Sequence, residues 1–244
     1  MLLYLTGTAE ELRELPPGLG FALIGPVSDA PLPAGREGVW LPGEGPEAGR
    51  AGILASECRR RSCSALLSEG GSPSALEALR FCDALLRRGI APILPEESWV
   101  PGCGGALLIS SAVSGGTLEE RLCQALAKCP DLALDLEKLC HRFPLPCPDG
   151  QGERISGEEL DRLLRRGAAV QFSRDLMCKA FPLEDGDKSQ FIIFDDRETL
   201  AEKVRLAETL GVRRGFLLLG EWSAEDASAA AEALRQGKSP AIAG

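Results

Sequence analysis

Histidine is nearly absent: His141 is the single imidazole in 244 residues. That leaves no ligand set for a His-rich metallohydrolase. A Ser-His-Asp triad would need His141 beside a nucleophile, and no Gly-x-Ser-x-Gly turn is present. No Gly-x-Gly-x-x-Gly opens a helix after a strand, which argues against a dinucleotide cofactor. No lysine falls inside a predicted barrel strand, which disfavours Schiff-base chemistry. No cofactor is expected. Aromatic residues are scarce at 5%, so aliphatic side chains must supply the core. No run of about 18 apolar residues occurs, so no membrane-crossing helix is expected. Positive charge is in deficit, 27 Lys and Arg against 36 Asp and Glu, a net charge of -9. Neutralising phosphates takes clustered cations, so a nucleic-acid partner is not expected. The one basic run, Arg59-Arg60-Arg61, reads as a solvated helix end.

Cysteine is not scarce. There are nine, an odd number at irregular spacing. Met1-Leu2-Leu3-Tyr4-Leu5 has no basic leader and runs straight into a strand-like segment. Reduced thiols and a cytoplasmic location are expected. Cys129, Cys140, His141 and Cys147 match no zinc spacing, and Cys140 and His141 would point opposite ways on a strand. No metal is expected, and these cysteines read as small buried hydrophobes.

Short apolar runs alternate with longer stretches of helical period. Strands are predicted at 2–6, 21–25, 39–42, 65–68, 92–95, 107–110, 132–136, 169–173, 191–195 and 216–220. Their continuous apolarity suits strands buried on both faces. Ser72-Pro73 opens a helix that runs to Arg88, with Leu76, Leu79, Cys82, Leu85 and Leu86 on one face and Gly89 as its stop. Thr117 with Glu120 forms a capping box, Ser156 with Glu159 caps another helix, Asp196 or Thr199 begins a fourth that stops at Gly211, and Ser223 begins the last. The β-α-β-α order implies an α/β fold with a mainly parallel sheet. Phe181–Phe194, with Asp185-Gly186 at its centre, reads as a β-hairpin. Setting aside 169–173 and this hairpin as a small insertion before the last strand leaves eight strands, enough for a (β/α)8 TIM-type barrel with an irregular N-terminal third. An open doubly wound sheet is the alternative. Residues 1–237 read as a single domain and 238–244 as a frayed tail.

Near the C-terminus stand Phe191-Ile-Ile-Phe-Asp-Asp196, Thr199-Leu200, Lys203, Leu206-Ala207, Leu210-Gly211 and Gly215-Phe-Leu-Leu-Leu-Gly220. This stretch resembles the closing segment of family 18 glycoside hydrolases of the spore-cortex and spore-coat type. The resemblance covers about the last 110 residues, and its final 40 are the specific part. It implies a barrel that binds, and in active members hydrolyses, an oligosaccharide or cell-wall glycan. That family carries Asp-x-x-Asp-x-Asp-x-Glu at the end of strand four, where the glutamate protonates the leaving oxygen. Here strand four reads Cys63-Ser-Ala-Leu-Leu-Ser-Glu69, with a glutamate and no aspartates. Asp135-Leu136-Glu137 has the spacing, three strands later.

Acidic residues end several predicted strands: Glu69, Glu96 and Glu97, Asp135 and Glu137, Asp195 and Asp196, and Glu221. The C-terminal rim of a barrel is where sites are built. Carboxylates gathered there raise one another's pKa, as an acid/base pair requires. Each taken singly is equally a helix cap or dipole partner. Asp135 and Glu137 stand two apart and share one face of a strand. Glu137 is the expected proton donor, Asp135 its partner, and Glu69 or Glu221 the second carboxylate. Trp99 and Trp222 follow strand ends and are candidate platforms for sugar faces, with core packing as the alternative; Trp40 reads as core. Ser110, Ser111 and the Ser114-Gly115-Gly116-Thr117 turn are candidates for binding a ligand hydroxyl, or form a plain helix cap. A carbohydrate ligand is the expected partner. A catalytically inactive barrel serving as a binding or scaffold module is the other reading.

Overall fold

The computed structural model describes residues 1–25, 33–43, 45–71, 73–113, 116–147, 150, 152–185 and 188–236. Seven parallel strands come first: β1 (Leu2–Gly7), β2 (Gly20–Ile24), β3 (Gly38–Leu41), β4 (Cys63–Leu67), β5 (Ala91–Pro95), β6 (Ala106–Ser110) and β7 (Leu132–Asp135). After an insertion that holds β8 to β12, the strand β13 (Arg214–Leu218) slots between β7 and β1 and closes the ring. The eight are the strands predicted for the barrel, and the open-sheet alternative is set aside.

Alternation along each strand explains the closure. One set of side chains fills the ring: Tyr4, Ala22, Val39, Ile93, Ala133 and Phe216 among them. Small residues dominate it, and the Tyr4 and Phe216 rings stack 5.1 Å apart to plug the centre. The other set, including Leu5, Phe21, Leu66, Leu107 and Leu217, packs outward. Backbone must come close for this to fit. A Cβ at Gly20 would lie 2.7 Å from the Tyr4 ring, and one at Gly38 would lie 2.3 Å from Phe21.

The outer layer is incomplete, as the irregular first third implied. Among the described residues β1 is followed only by a 3-10 turn, Glu11–Glu14, and a second such turn leads into α1 (Ala51–Arg60). α2 (Ala75–Leu86), α3 (Leu118–Lys128), α5 (Arg197–Thr209) and α6 (Ala224–Gln236) follow, with α4 (Gly157–Leu164) in the insertion. Thr117 and Glu120 form the predicted box, Ser156 caps α4, and Asp196 rather than Thr199 is the N-cap of α5, with Thr199 completing a box behind it. α2 differs from its prediction. Ser74 is its N-cap, boxed with Glu77, while Ser72 is outside the described residues. Its buried face is Ala78, Phe81, Cys82 and Leu85; Leu76, Leu79 and Leu86 are exposed. The leucines form a second stripe, and the bulkier Phe81 decides which one turns inward. Arg61 also departs from its reading as solvated. It is 7% exposed, with its guanidinium 5.3 Å over the Trp40 ring.

The insertion is larger than a hairpin. β8 (Cys140–Leu145), β9 (Glu153–Arg154), β10 (Gln171–Ser173), β11 (Cys178–Asp185) and β12 (Lys188–Phe194) form one antiparallel sheet in the order β10-β11-β12-β8-β9. β11 and β12 are the predicted hairpin; Gly186 at its tip is outside the described residues. β8 went unpredicted because its residues are only half buried and include a proline. Ile155, Leu163, Phe181, Ile192 and Phe194 give the insertion its own core. Asp195 ties it to the barrel. This buried carboxylate takes Lys203 Nζ at 2.6 Å, the Thr199 hydroxyl at 2.9 Å and the Leu139 amide at 2.9 Å. The tail 238–244 is outside the described residues.

Candidate functional site

The site grows from the end of β7. Ala133 faces the ring, so Asp135 and then Glu137 continue on the inner side. Register places Asp135 between Ser110 on β6 and Phe216 on β13. Burial first, then the charges of Glu137 and Glu221, push the Asp135 carboxyl up to about 6. The Ser110 hydroxyl donates to Glu137 Oε2 at 2.9 Å and accepts from the Ala112 amide at 2.9 Å. Glu221, just beyond β13, takes Arg154 Nη2 at 2.7 Å and the Lys138 amide at 3.3 Å. Three carboxylates therefore converge on one tip, each in a different setting: one desolvated, one bonded to a hydroxyl, one bonded to a guanidinium.

Two grooves open beside this tip. The first, about 550 Å³, lies between Glu137 and the insertion sheet. Its wall includes Leu139, His141, Phe143, Leu176 and Phe191. The second, about 540 Å³, lies on the Glu221 side and is charged, with Lys138, Arg154, Asp161 and Arg197 among its lining residues. β8 was not recognised, so the His141 and Phe143 part of this wall was missed, whereas Phe191 lies in the predicted hairpin. Thr6 was also missed, although its spacing from Tyr4 puts it on the inner face. It is buried, and its Oγ1 has no hydrogen-bond partner among the described residues.

Other candidates stand elsewhere. Glu69 is exposed at the tip of β4, three strands round the ring from β7. Glu96 is bound by Arg121 and Lys128 of α3, and the Arg121 contact leads in holding its carboxyl below the usual range. Trp99 packs on the outer wall, where the β5–β6 link has no helix, and its indole donates to the Gly105 carbonyl at 3.1 Å. Trp222 is 1% exposed behind the rim, donating to the Leu136 carbonyl at 2.6 Å, with Lys138 Nζ 4.8 Å from its ring. Trp222 is too buried to offer a face to a sugar, while Trp99 is partly buried against the outer core. Trp40 is core, at 4% exposure. Asp195 and Asp196 serve as clamp and cap, Ser111 is fully buried, and Thr117 caps α3, while Ser114 and Gly115 are outside the described residues. Among the described residues no three His, Cys, Asp or Glu side chains stand where they could hold a metal ion.

No family model and no curated protein matches the chain. Solved structures do. The chitinase of Chromobacterium violaceum ATCC 12472 has a TM-score of 0.66 at 12% identity, over 96% of this chain and 98% of that one. The GH18 chitinase of Cycas revoluta in complex with (GlcNAc)3 has a TM-score of 0.59 at 12% identity, over 96% of this chain and 100% of that one. The spore cortex-lytic enzyme SleL of Bacillus megaterium QM B1551 has a TM-score of 0.58 at 12% identity, over 87% of this chain. The match spans 59% of that SleL chain. The shared feature is the fold. This chain is a (β/α)8-type barrel similar to those of family 18 chitinases and cortex-lytic enzymes.

Proposed function

We propose that this protein is a glycoside hydrolase-like barrel that binds an oligosaccharide in the groove between the β7 tip and the insertion sheet. The observation that carries the reading is the pairing of Asp135 and Glu137 on one inner face, beside an apolar wall that includes Phe143 and Phe191. Sugar rings present C–H faces that pack on such walls, while their hydroxyls need polar partners, and Glu137 is the carboxylate that lines this groove. Burial, then the charges of Glu137 and Glu221, raise the Asp135 carboxyl to about 6, so it is protonated in a minor share of molecules near neutral pH. Glu137 faces the groove and is the donor to a glycosidic oxygen; Asp135 holds charge and proton behind it. Glu221, restrained by Arg154, is the second carboxylate. Fold likeness to chitinases, one of them holding (GlcNAc)3, favours N-acetylglucosamine polymers or cell-wall glycan as the ligand class. Nine cysteines with no disulfide among them favour a reducing compartment such as the cytoplasm.

The β4 tip, with Glu69 and no aspartate, favours a second reading: a barrel that binds glycan without cleaving it. Calorimetry and product analysis with (GlcNAc)4 and peptidoglycan fragments separate the two. An enzyme binds and cleaves, and Glu137→Gln binds but cleaves at least about 100-fold more slowly. A binding module binds and releases no product. Absence of binding by either ligand contradicts both.

A further inference from the structure

The insertion sheet has two faces. On β8, His141 and Phe143 line the groove beside Glu137, so Arg142 between them points to the other face, toward α4. Gln190 follows the same alternation, since its neighbour Phe191 on β12 pairs with Phe143. On that far face a pocket of about 140 Å³ lies between α4 and the sheet. Leu163 and Leu183 are its apolar walls, and Arg142, Arg162, Arg166, Glu159 and Gln190 supply its polar groups. Three guanidiniums therefore meet one carboxylate, in a chain whose net charge is -9. These groups are unequally satisfied. Arg142 gives one nitrogen to Glu159 at 2.9 Å and another to Glu153 at 2.7 Å, which engages both carboxylates. Arg162 and Arg166 make no ion pair among the described residues. Glu158 stands four residues before Arg162, the order that favours a pair along a helix, yet none forms. Arg162 and Arg166 are themselves four apart, where like charges repel. The helix dipole favours a cation near the end of α4. It does not account for the convergence: α4 and the turn after it bring two guanidiniums, β8 a third and β12 an amide, all to one small cavity.

We propose that this pocket is a binding site for a small phosphate-bearing ligand, held by Arg162 and Arg166 with Gln190 as a neutral donor. A phosphate group carries about -1.5 to -2 charges at pH 7, which matches two unpaired cations; a carboxylate carries one. Its tetrahedral oxygens accept hydrogen bonds from several sides, and the guanidinium fork suits that contact better than an ammonium does. Leu163 and Leu183 exclude water from the pocket walls, which strengthens the attraction. The acidic net charge disfavours a polymeric polyanion, so the ligand is a small molecule. The site lies on the opposite face of the sheet from the Glu137 groove and does not depend on the glycan reading.

The test is calorimetry of the full chain with inorganic phosphate at low ionic strength, with acetate as the comparison anion. The expected result is saturable binding of phosphate at a single site, with acetate at least about tenfold weaker. Arg162 and Arg166 are exposed, so replacing them leaves the core intact. Arg162→Gln and Arg166→Gln are each expected to weaken phosphate at least about tenfold, because each removes charge-assisted hydrogen bonds. Arg165 is also exposed but does not line the pocket. Arg165→Gln removes the same charge and is expected to change the affinity less than about twofold. No saturable heat would overturn the proposal, as would equal affinity for acetate. A loss in Arg165→Gln as large as in the two pocket variants would also overturn it, since that marks diffuse surface attraction in place of a site.

Discussion

Asp135 is ionised at neutral pH against the opposition of its burial and of two neighbouring carboxylates. Its folded value, about 6, lies above the unfolded value of about 3.9. Between those values the folded state binds more protons, so stability falls as pH rises from about 4 to 6 and stays reduced above. Two units correspond to about 3 kcal/mol at most. Asp135→Asn keeps the volume and removes the charge. It is expected to stabilise the protein by about 1–3 kcal/mol at pH 7.5 and to change little at pH 4. Denaturant unfolding at the two pH values checks this, and destabilisation at pH 7.5 would mean the carboxylate is better satisfied than its surroundings indicate. Lys203 shows the opposite case. It and Asp195 are both fully buried and joined at 2.6 Å. Lys203→Met strands a buried carboxylate and is expected to cost about 3–5 kcal/mol, read from the urea midpoint.

At the scale of elements, α2 gives a clean comparison. Phe81 is fully buried and Leu76 is 54% exposed. Phe81→Ala is expected to cost about 3–5 kcal/mol, whereas Leu76→Ala should stay within about 0.5 kcal/mol. Equal losses would mean that the leucine stripe also packs. The barrel strands were legible because each is apolar on both faces, a pattern that few other elements share. Helix starts were legible where a capping pair such as Thr117 and Glu120 marks them. β8 was not legible: a half-exposed Cys-His-Arg-Phe-Pro-Leu has neither continuous apolarity nor clean alternation. With β8 hidden, the groove wall of His141 and Phe143 was hidden too. Trp99 was misplaced because strand-end position predicts a rim residue only if the chain then leaves the rim by a helix, and the β5–β6 link has none. Trp222 is followed by a helix, but its indole is buried and bonded to the Leu136 carbonyl.

At the scale of the whole molecule, the groove exists only because the insertion sheet stands over the β7 tip, with Asp195 fastening its end to α5 through Lys203 and Thr199. Asp135 and Glu137 were visible as a pair in sequence, but their neighbours Ser110 and Glu221 come from other strands and meet them only when the ring closes. The most direct measurement is amide NMR of the full chain titrated with (GlcNAc)4. Shifts are expected to cluster at Ser110, Asp135, Glu137, His141 and Phe191, across both walls of the groove. Saturable shifts confined to another surface, such as the exposed face of α2, or no shifts at all, would contradict the assignment of a sugar site to the β7 tip.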